Sequence, residues 1–250
     1  GRFPDVQRLF LGKCVIIIAM RKDPLVTGEY YHIYNRGVDK RDIFMDTNNL
    51  NRFILSVKLF NTINPIGSIK DALQNAKIDV QRPSIIDVTD VGRPEEPLVS
   101  IVCYCFNPNH FHFIIKQEVD GGISEFFKRL LGGYTKYFNE VHNRSGSLFQ
   151  GRFKSHLIND EQYFLKIYPY VNINYSIHNI PVEKNHLIWA SDREYHSGSF
   201  DIVSKKEAKT LLDIYGTKEN FKSECIKVTS IIRQERGNIS LLDEDLLPEK

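Results

Sequence analysis

The sequence has few cysteines, and those present form no recognisable pattern. Cys14, Cys103, Cys105 and Cys225 include no Cys-x-x-Cys pair, and a chain of 250 residues does not depend on a disulfide framework. This argues against a structural zinc site. Cys103 and Cys105 alternate with large apolar residues, which predicts two buried positions on a strand.

Long hydrophobic runs are also lacking. The apolar segment 14–20 is too short to cross a bilayer, because a spanning helix needs about 20 residues. A signal peptide is a weaker alternative, since no small-residue cleavage site clearly follows. We expect residues 1–19 to be a disordered or non-native extension, and we expect a cytoplasmic protein with no membrane partner.

Net charge is small, at +2, but its distribution is uneven. Basic side chains dominate residues 121–156, whereas acidic side chains dominate residues 237–250. This pattern favours a nucleic-acid surface in the middle of the chain, although a solvated helix face explains the charge equally well.

The hydrophobic pattern predicts strands at residues 30–36, 98–106, 110–116 and 148–158. It predicts helices at 46–60 and 123–137, one beginning near 159, and two more at 204–215 and 218–233. Residues 61–97 have no sustained period and contain four prolines, which indicates a long loop or insertion. The order strand, helix, strand, strand, helix, strand predicts a ferredoxin-like or RRM-like α+β fold. Its sheet is expected to be antiparallel with helices on one face, followed by C-terminal helices.

A His-Phe-His triplet begins the third predicted strand. His110 and His112 are two residues apart, so both side chains project from one face, while Phe111 points to the other. Two imidazoles so placed can bind one divalent cation, although such a pair is often only packing or surface decoration. An Asn-Pro-Asn turn comes directly before the triplet and puts both histidines at the accessible start of the strand.

The helix after the fourth strand offers a further donor. Tyr170 and Asn174 are four residues apart, which would make them neighbours on one helical face. The amide oxygen of Asn174 could then be a third metal ligand, and Tyr170 could be a nucleophile. A phenol with a pKa of about 10 needs activation, which a metal-polarised phosphate supplies. Alternatively, the tyrosines of this helix are only aromatic packing.

Five blocks of sequence occur in the order of a known family. They are residues 31–44 (YHIYNRGVDKRDIF), 107–115 (NPNHFHFII), 134–139 (YTKYFN), 144–155 (RSGSLFQGRFKS) and 170–174 (YVNIN). Together they resemble the single-tyrosine HUH transposases, particularly the REP-associated tyrosine transposase branch. The resemblance extends over residues 30–179 and is interrupted by the segment 61–97.

The resemblance implies an HUH nuclease domain at residues 20–180 and a C-terminal helical extension with an acidic tail at 181–250. It implies that His110 and His112 bind Mg²⁺ or Mn²⁺, that Asn174 completes the metal site, and that Tyr170 is the nucleophile. The implied activity is nicking and strand transfer on single-stranded DNA that carries a hairpin. The tyrosine attacks a DNA phosphate, which leaves a 5′-phosphotyrosine and a free 3′-OH.

The chain departs from the family at two positions beside the tyrosine. Tyr175 follows Asn174 where the family usually has proline, and Pro169 directly precedes Tyr170. A proline there should kink the helix or force it to start late. Either departure could re-aim Tyr170, which leaves Tyr168 and Tyr175 as alternative nucleophiles.

Basic side chains in the matching blocks are candidates for contact with DNA phosphates: Arg36, Arg144, Arg152 and Lys154. Two rival interpretations stay open. One is a non-catalytic module that binds single-stranded nucleic acid through exposed aromatics at the sheet centre. The other is a metal-dependent hydrolase that uses water and carboxylate ligands. The sequence also leaves open the hairpin recognised, whether the protein is still active, and whether it is a monomer or a homodimer.

Overall fold

The structure, a computed structural model, describes residues 24–75, 96–178 and 180–238. The extension predicted at residues 1–19 and the acidic residues of the tail lie outside these ranges. Residues 76–95 of the predicted insertion lie outside them as well.

In the described residues, five strands form one sheet: β1 (Tyr30–Arg36), β2 (Val99–Asn107), β3 (His110–Gln117), β4 (Lys154–Leu157) and β5 (Trp189–Ala190). Their order across the sheet is β4-β1-β3-β2-β5, and each neighbouring pair is antiparallel. The predicted α+β fold with an antiparallel sheet is therefore confirmed. β4 is shorter than the strand predicted at 148–158, because Gly151 has a left-handed backbone (φ 69°) that interrupts the pairing.

Seven α-helices accompany the sheet in the part of the chain that the structure describes. They are α1 (Thr47–Phe60), α2 (Ile69–Asn75), α3 (Gly122–Val141), α4 (Glu161–Asn172), α5 (Asp192–Ser197), α6 (Lys205–Tyr215) and α7 (Lys218–Asn238). Asp46 caps α1 by accepting a 2.8 Å hydrogen bond from the backbone N–H of Asn49. The loop prediction is wrong for residues 69–75, because Ile69 and Leu73 are spaced one helical turn apart and bury themselves beside α1.

The sheet has helices on both faces, so the prediction of helices on one face only is wrong. On one face, Phe111 lies 5.7 Å from Phe53 of α1 and 6.0 Å from Phe127 of α3, measured between ring centroids. On the other face, the ring of Tyr170 from α4 lies 5.7 Å from that of His112. The physical reason is β2, whose residues are apolar at consecutive positions and therefore need cover on both sides.

The described part of the C-terminal region is built onto the same sheet. β5 pairs with the outer edge of β2, and α7 packs along α4. A partly buried ion pair joins Lys58 of α1 to Asp201 at 2.7 Å. No helix in the described residues combines the length and apolarity needed to cross a bilayer.

Candidate active site

Two histidines occupy the start of β3, directly after the tight turn from β2. His110 and His112 project from the sheet face that α4 covers, and they are 4% and 6% exposed. Their ring centroids are 5.2 Å apart and their planes are perpendicular. Because β-strand side chains alternate, the intervening Phe111 points into the opposite core, where it is fully buried. This core anchors the strand that carries both imidazoles.

Three asparagines surround His110. Its Nδ1 lies 2.6 Å from Oδ1 of Asn109, so this nitrogen carries the proton and donates it. Nε2 is then the unprotonated nitrogen, and Nδ2 of Asn107 donates to it at 2.9 Å. The same Nδ2 donates to Oδ1 of Asn174 at 2.9 Å. Nε2 of His110 and Oδ1 of Asn174 are themselves only 3.2 Å apart, so two lone-pair-bearing atoms converge on one point.

Asn174 reaches this point by a different route from the predicted one. It does not share a helix with Tyr170, because α4 ends at Asn172 and Ile173 leaves the helical region (φ −127°). Asn174 instead begins a 3₁₀ helix, Asn174–Ile177, and this tighter turn brings its fully buried side chain to His110. The prediction that the two residues lie on one helical face is therefore wrong.

His112 is held by a histidine from the neighbouring strand. Nδ1 of His112 lies 2.9 Å from Nε2 of His32 on β1, and the two rings are within 5° of parallel. His32 is fully buried, and this burial, together with the nearby His156, lowers its pKa to about 3. His32 is therefore neutral at physiological pH. Because Nδ1 of His112 faces His32, Nε2 is the ring nitrogen on the side away from His32.

Tyr170 places its ring against both of these histidines. The ring centroid lies 5.7 Å from His112 and 6.4 Å from His32, in edge-on contact with each. Two turns earlier on α4, Tyr163 is also part of the cluster. Burial raises the pKa of Tyr163, and the hydroxyls of Tyr34 and Tyr170 raise it further. Tyr170 itself is 5% exposed.

Pro169 does not force α4 to start late, because the helix begins at Glu161 and continues through the proline. Proline has no N–H, so the carbonyl of Leu165 one turn earlier loses its usual helical partner. Tyr215 of α6 replaces that partner, since its hydroxyl donates to the Leu165 oxygen at 3.2 Å. The helix therefore tolerates a proline next to Tyr170.

The two alternative tyrosines point elsewhere. Tyr168 packs on Phe164 with ring centroids 4.3 Å apart, and burial raises the pKa of its hydroxyl. The hydroxyl of Tyr175 donates to Asp192 at 2.7 Å. Burial and this carboxylate both raise the pKa of Tyr175. None of these contacts places Tyr168 or Tyr175 against the histidine pair.

An open cavity of about 150 Å³ lies in front of the histidine pair. Among the described residues, its lining contains no carboxylate and consists of Tyr34, Asn35, Arg36, His110, His112, Gln150 and Lys154. Arg36 donates from Nε to the side-chain oxygen of Gln150. Nζ of Lys154 lies 5.6 Å from the centroid of the Tyr34 ring. Two predicted cationic residues thus share one cavity with both histidines.

The other two predicted cationic residues are not brought to this cavity. Arg144 donates to Oδ1 of Asn139 at 2.7 Å and to the carbonyl of Ser147 at 3.3 Å, so it braces its own loop. Arg152 is exposed just before β4.

The nitrogen and oxygen atoms at this site fit a divalent cation, but the described residues alone supply few ligands for it. The 3.2 Å between His110 Nε2 and Asn174 Oδ1 is close to the separation of adjacent ligands around Mg²⁺, about 3 Å for bonds of about 2.1 Å. Asn174 turns its oxygen to this point although its Nδ2 is buried without a partner among the described residues. The described residues contain no group of three His, Cys, Asp or Glu side chains that could hold a metal. The cation would therefore take further oxygen ligands from water or from a phosphate.

Four residues of this site were not predicted as such: His32, Asn107, Asn109 and Tyr163. His32 and Tyr163 each carried a usable signal. The alternating pattern of β1 puts His32 on one face with Tyr34, and helical spacing puts Tyr163 on the stripe of Tyr170. Asn107 and Asn109 gave only a turn signal, since contact with a residue 67 positions away cannot be inferred from a turn.

No family model matches the sequence, and a comparison with curated proteins finds no match. Among solved structures, the chain is similar to one described as "Structure of the REP associates tyrosine transposase bound to a REP hairpin". The sequences are 14% identical, the TM-score is 0.40, and the match covers 75% of this chain and 91% of that one. Similarity at this level does not establish a common fold or activity, so the proposal for function depends on this chain's own residues.

Proposed function

We propose that this chain is a transposase of the single-tyrosine HUH class, in the REP-associated branch. It cuts single-stranded DNA that carries a hairpin and transfers the cut end through a covalent 5′-phosphotyrosine. The proposed roles are Tyr170 as nucleophile, and His110, His112 and Asn174 as ligands of Mg²⁺ or Mn²⁺. Arg36 and Lys154 bind DNA phosphates beside them.

One observation carries the proposal. Proposed site residues that are 58 or more positions apart in the sequence meet in space. Oδ1 of Asn174 lies 3.2 Å from Nε2 of His110, and the Tyr170 ring lies 5.7 Å from that of His112. The βαββαβ element order and the strand order β4-β1-β3-β2 agree with the ferredoxin-like core expected of an HUH nuclease. Aromatic packing alone gives no reason for a buried amide oxygen beside an unprotonated imidazole nitrogen.

The proposed reaction is an in-line displacement at phosphorus. Tyr170 Oη forms a bond to the phosphorus and gives up its proton, the bond to the 3′ oxygen breaks, and that oxygen takes up a proton to become a 3′-OH. A bound cation supplies charge stabilisation at the phosphate oxygens. The residues of the chain orient the groups: the asparagines fix His110, and the basic side chains hold the strand. Rejoining the 5′-phosphate to another 3′-OH reverses these bond changes and regenerates the phenol.

The described surface around the site suits a single strand. Tyr34 offers a ring next to Lys154, and Arg36 lines the same cavity. Cations that hold phosphates beside a ring that can stack on a base are typical of single-strand binding.

The alternative is a non-catalytic module that binds single-stranded nucleic acid. It requires exposed aromatics at the centre of the sheet. In this chain α4 covers that face, and His32 at its centre is fully buried. The hydrolase alternative requires carboxylates at the histidine pair, and the described residues that line the cavity include none. The catalytic interpretation is therefore the one that we favour.

The test is a covalent-adduct assay with single-stranded hairpin oligonucleotides and Mn²⁺, resolved on a denaturing gel. We expect the adduct to retain a 3′-end label and to release a 5′-labelled fragment that ends in a 3′-OH. Tyr170→Phe and His110→Ala should abolish the adduct. Tyr168→Phe and Tyr175→Phe are matched controls and should retain it. Absence of an adduct under Mg²⁺ and Mn²⁺ with hairpin substrates would contradict the proposal, and an adduct in Tyr170→Phe would overturn the choice of nucleophile.

A further inference from the structure

His32 is a buried polar residue for which the proposed chemistry gives no direct role. It lies on β1 with no exposed surface, and the only hydrogen bond of its side chain among the described residues joins Nε2 to Nδ1 of His112 at 2.9 Å. The rings are within 5° of parallel, so the bond lies close to the plane of both imidazoles. The other nitrogen of His32, Nδ1, is buried without a hydrogen-bond partner among the described residues.

We propose that His32 is a positioning residue that sets the tautomer of His112. It accepts the Nδ1 proton of His112, and it thereby keeps the Nε2 lone pair of His112 directed at the cation. This inference rests on the proposed function, because it assigns His112 to a metal site.

The hydrogen bond allows two arrangements of protons when both rings are neutral. In the first, His32 donates from Nε2, which places the proton of His112 on its own Nε2 and blocks a metal there. In the second, His112 donates from Nδ1, and the single proton of His32 moves to Nδ1. Only the second arrangement leaves a lone pair on Nε2 of His112.

The second arrangement has a cost, because the Nδ1–H of His32 is then buried with no acceptor among the described residues. An unsatisfied buried donor lowers an equilibrium constant by roughly tenfold or more. Part of the free energy of cation binding offsets this cost, and His32 still satisfies the Nδ1–H of His112 in the bound state. It follows that an acceptor without a proton at position 32 should tighten metal binding.

The first experiment reads the tautomer directly. In the full-length protein labelled with ¹⁵N-histidine, we expect the Mg²⁺-saturated form to show a protonated Nδ1 on His112. A ¹⁵N–¹⁵N scalar coupling across the hydrogen bond to Nε2 of His32 should also appear. A proton on Nε2 of His112 in the Mg²⁺-saturated protein, or the absence of that coupling, would overturn the inference without any variant.

The second experiment measures Mn²⁺ affinity by electron paramagnetic resonance in the same full-length protein. His32→Phe removes the acceptor and should weaken binding by about 10- to 100-fold, as is usual for the loss of a partner behind a metal ligand. His32→Gln offers an amide oxygen at about the same reach and should restore affinity to within roughly threefold of wild type. In its ionised form the carboxylate of His32→Glu only accepts, so this variant should bind Mn²⁺ about tenfold more tightly than wild type.

His142→Phe is the matched control. His142 has a 2.9 Å hydrogen bond to Asn49, but it lies beside α1, on the opposite face of the sheet, and its loss should leave Mn²⁺ affinity unchanged. Equal weakening in the Phe, Gln and Glu variants at position 32 would indicate a merely structural residue and would overturn the inference. If His110→Ala binds Mn²⁺ as wild type does, the metal site itself is wrong. If His110→Ala loses Mn²⁺ and no variant at position 32 changes the affinity, only the role of His32 is wrong.

Discussion

Glu194 joins the C-terminal region to the sheet, and its removal gives a sharp test of this packing. The side chain is 8% exposed and accepts from the Tyr104 hydroxyl at 2.7 Å. It also accepts from the backbone N–H groups of Asp201, Ile202 and Val203 at 2.5, 3.1 and 3.2 Å. One carboxylate thus satisfies four donors that would otherwise be buried without an acceptor.

Glu194→Ala should therefore be strongly destabilising. An unsatisfied buried donor costs about 1–3 kcal/mol, and water entering the space left by the side chain relieves part of the loss. We expect the free energy of unfolding to fall by about 3–5 kcal/mol, a large part of the stability of a typical domain. Glu194→Gln keeps one oxygen that accepts from the backbone N–H groups, and its amide N–H can donate to the Tyr104 hydroxyl. It should therefore lower the free energy of unfolding by only about 1 kcal/mol.

Urea unfolding followed by circular dichroism measures both values. The matched control is Glu125→Ala, which removes surface ion pairs to Lys128 and Arg129 and should change stability by less than about 0.5 kcal/mol. If the free energy of unfolding of Glu194→Ala lies within about 1 kcal/mol of the wild-type value, the four hydrogen bonds do not hold the C-terminal region in place.

Three further predictions concern α4, the buried carboxylate and the metal site. Tyr215→Phe should lower the free energy of unfolding by about 1 kcal/mol, measured with urea. In a Pro169→Ala background the same change should have almost no effect, because the Leu165 carbonyl regains a helical N–H donor. Equal losses in the two backgrounds would refute the idea that Tyr215 replaces this donor. Burial raises the pKa of Glu194 above its usual 4.5, so the folded state binds more protons than the unfolded state. The stability of wild type should therefore fall relative to that of Glu194→Gln as pH rises from about 4.5. A stability difference that does not change with pH would refute this. Asn107→Asp replaces the amide donor between His110 and Asn174 by a carboxylate, which is a ligand for a divalent cation. Mn²⁺ should therefore raise the melting temperature of this variant more than that of wild type. An equal or smaller rise would contradict the assigned position of the metal ligands.

The sequence predicts those parts of the fold that depend on local spacing. The period-2 pattern puts His110 and His112 on one face of β3, and the helical spacing around Phe126 and Phe127 predicts α3. Asp46 could be recognised as a cap because the N–H that it accepts is only three residues away. These features need no knowledge of distant contacts.

The rest depends on contacts between distant segments. His32 and His112 are 80 residues apart in sequence, and their hydrogen bond follows only from the β1–β3 register. Asn174 reaches His110 because Ile173 breaks the helix, which i, i+4 spacing cannot anticipate. The helix on the second face of the sheet was indicated by the unbroken apolar run of β2, and a closer physical interpretation of that run would have predicted it.

These contacts give α4 two roles. It covers the second face of the sheet with Ile167, Tyr168 and Val171, and it carries Tyr170 to the histidine pair. α7 packs along the outer side of α4, and Asn172 of α4 donates to Cys225 of α7 at 3.6 Å. The position of the proposed nucleophile therefore depends on the C-terminal helices, although the described part of these helices contributes no residue to the cavity lining.

The most direct test of the proposed chemistry is to map the covalent link by mass spectrometry. Full-length protein is incubated with single-stranded hairpin DNA and Mn²⁺, digested with nuclease and protease, and searched for a nucleotide-linked peptide. The account predicts a phosphotyrosine linkage on Tyr170 that carries the 5′ end of the cleaved strand. A linkage on Tyr163, Tyr168 or Tyr175, or intact DNA with no linked peptide, would contradict it.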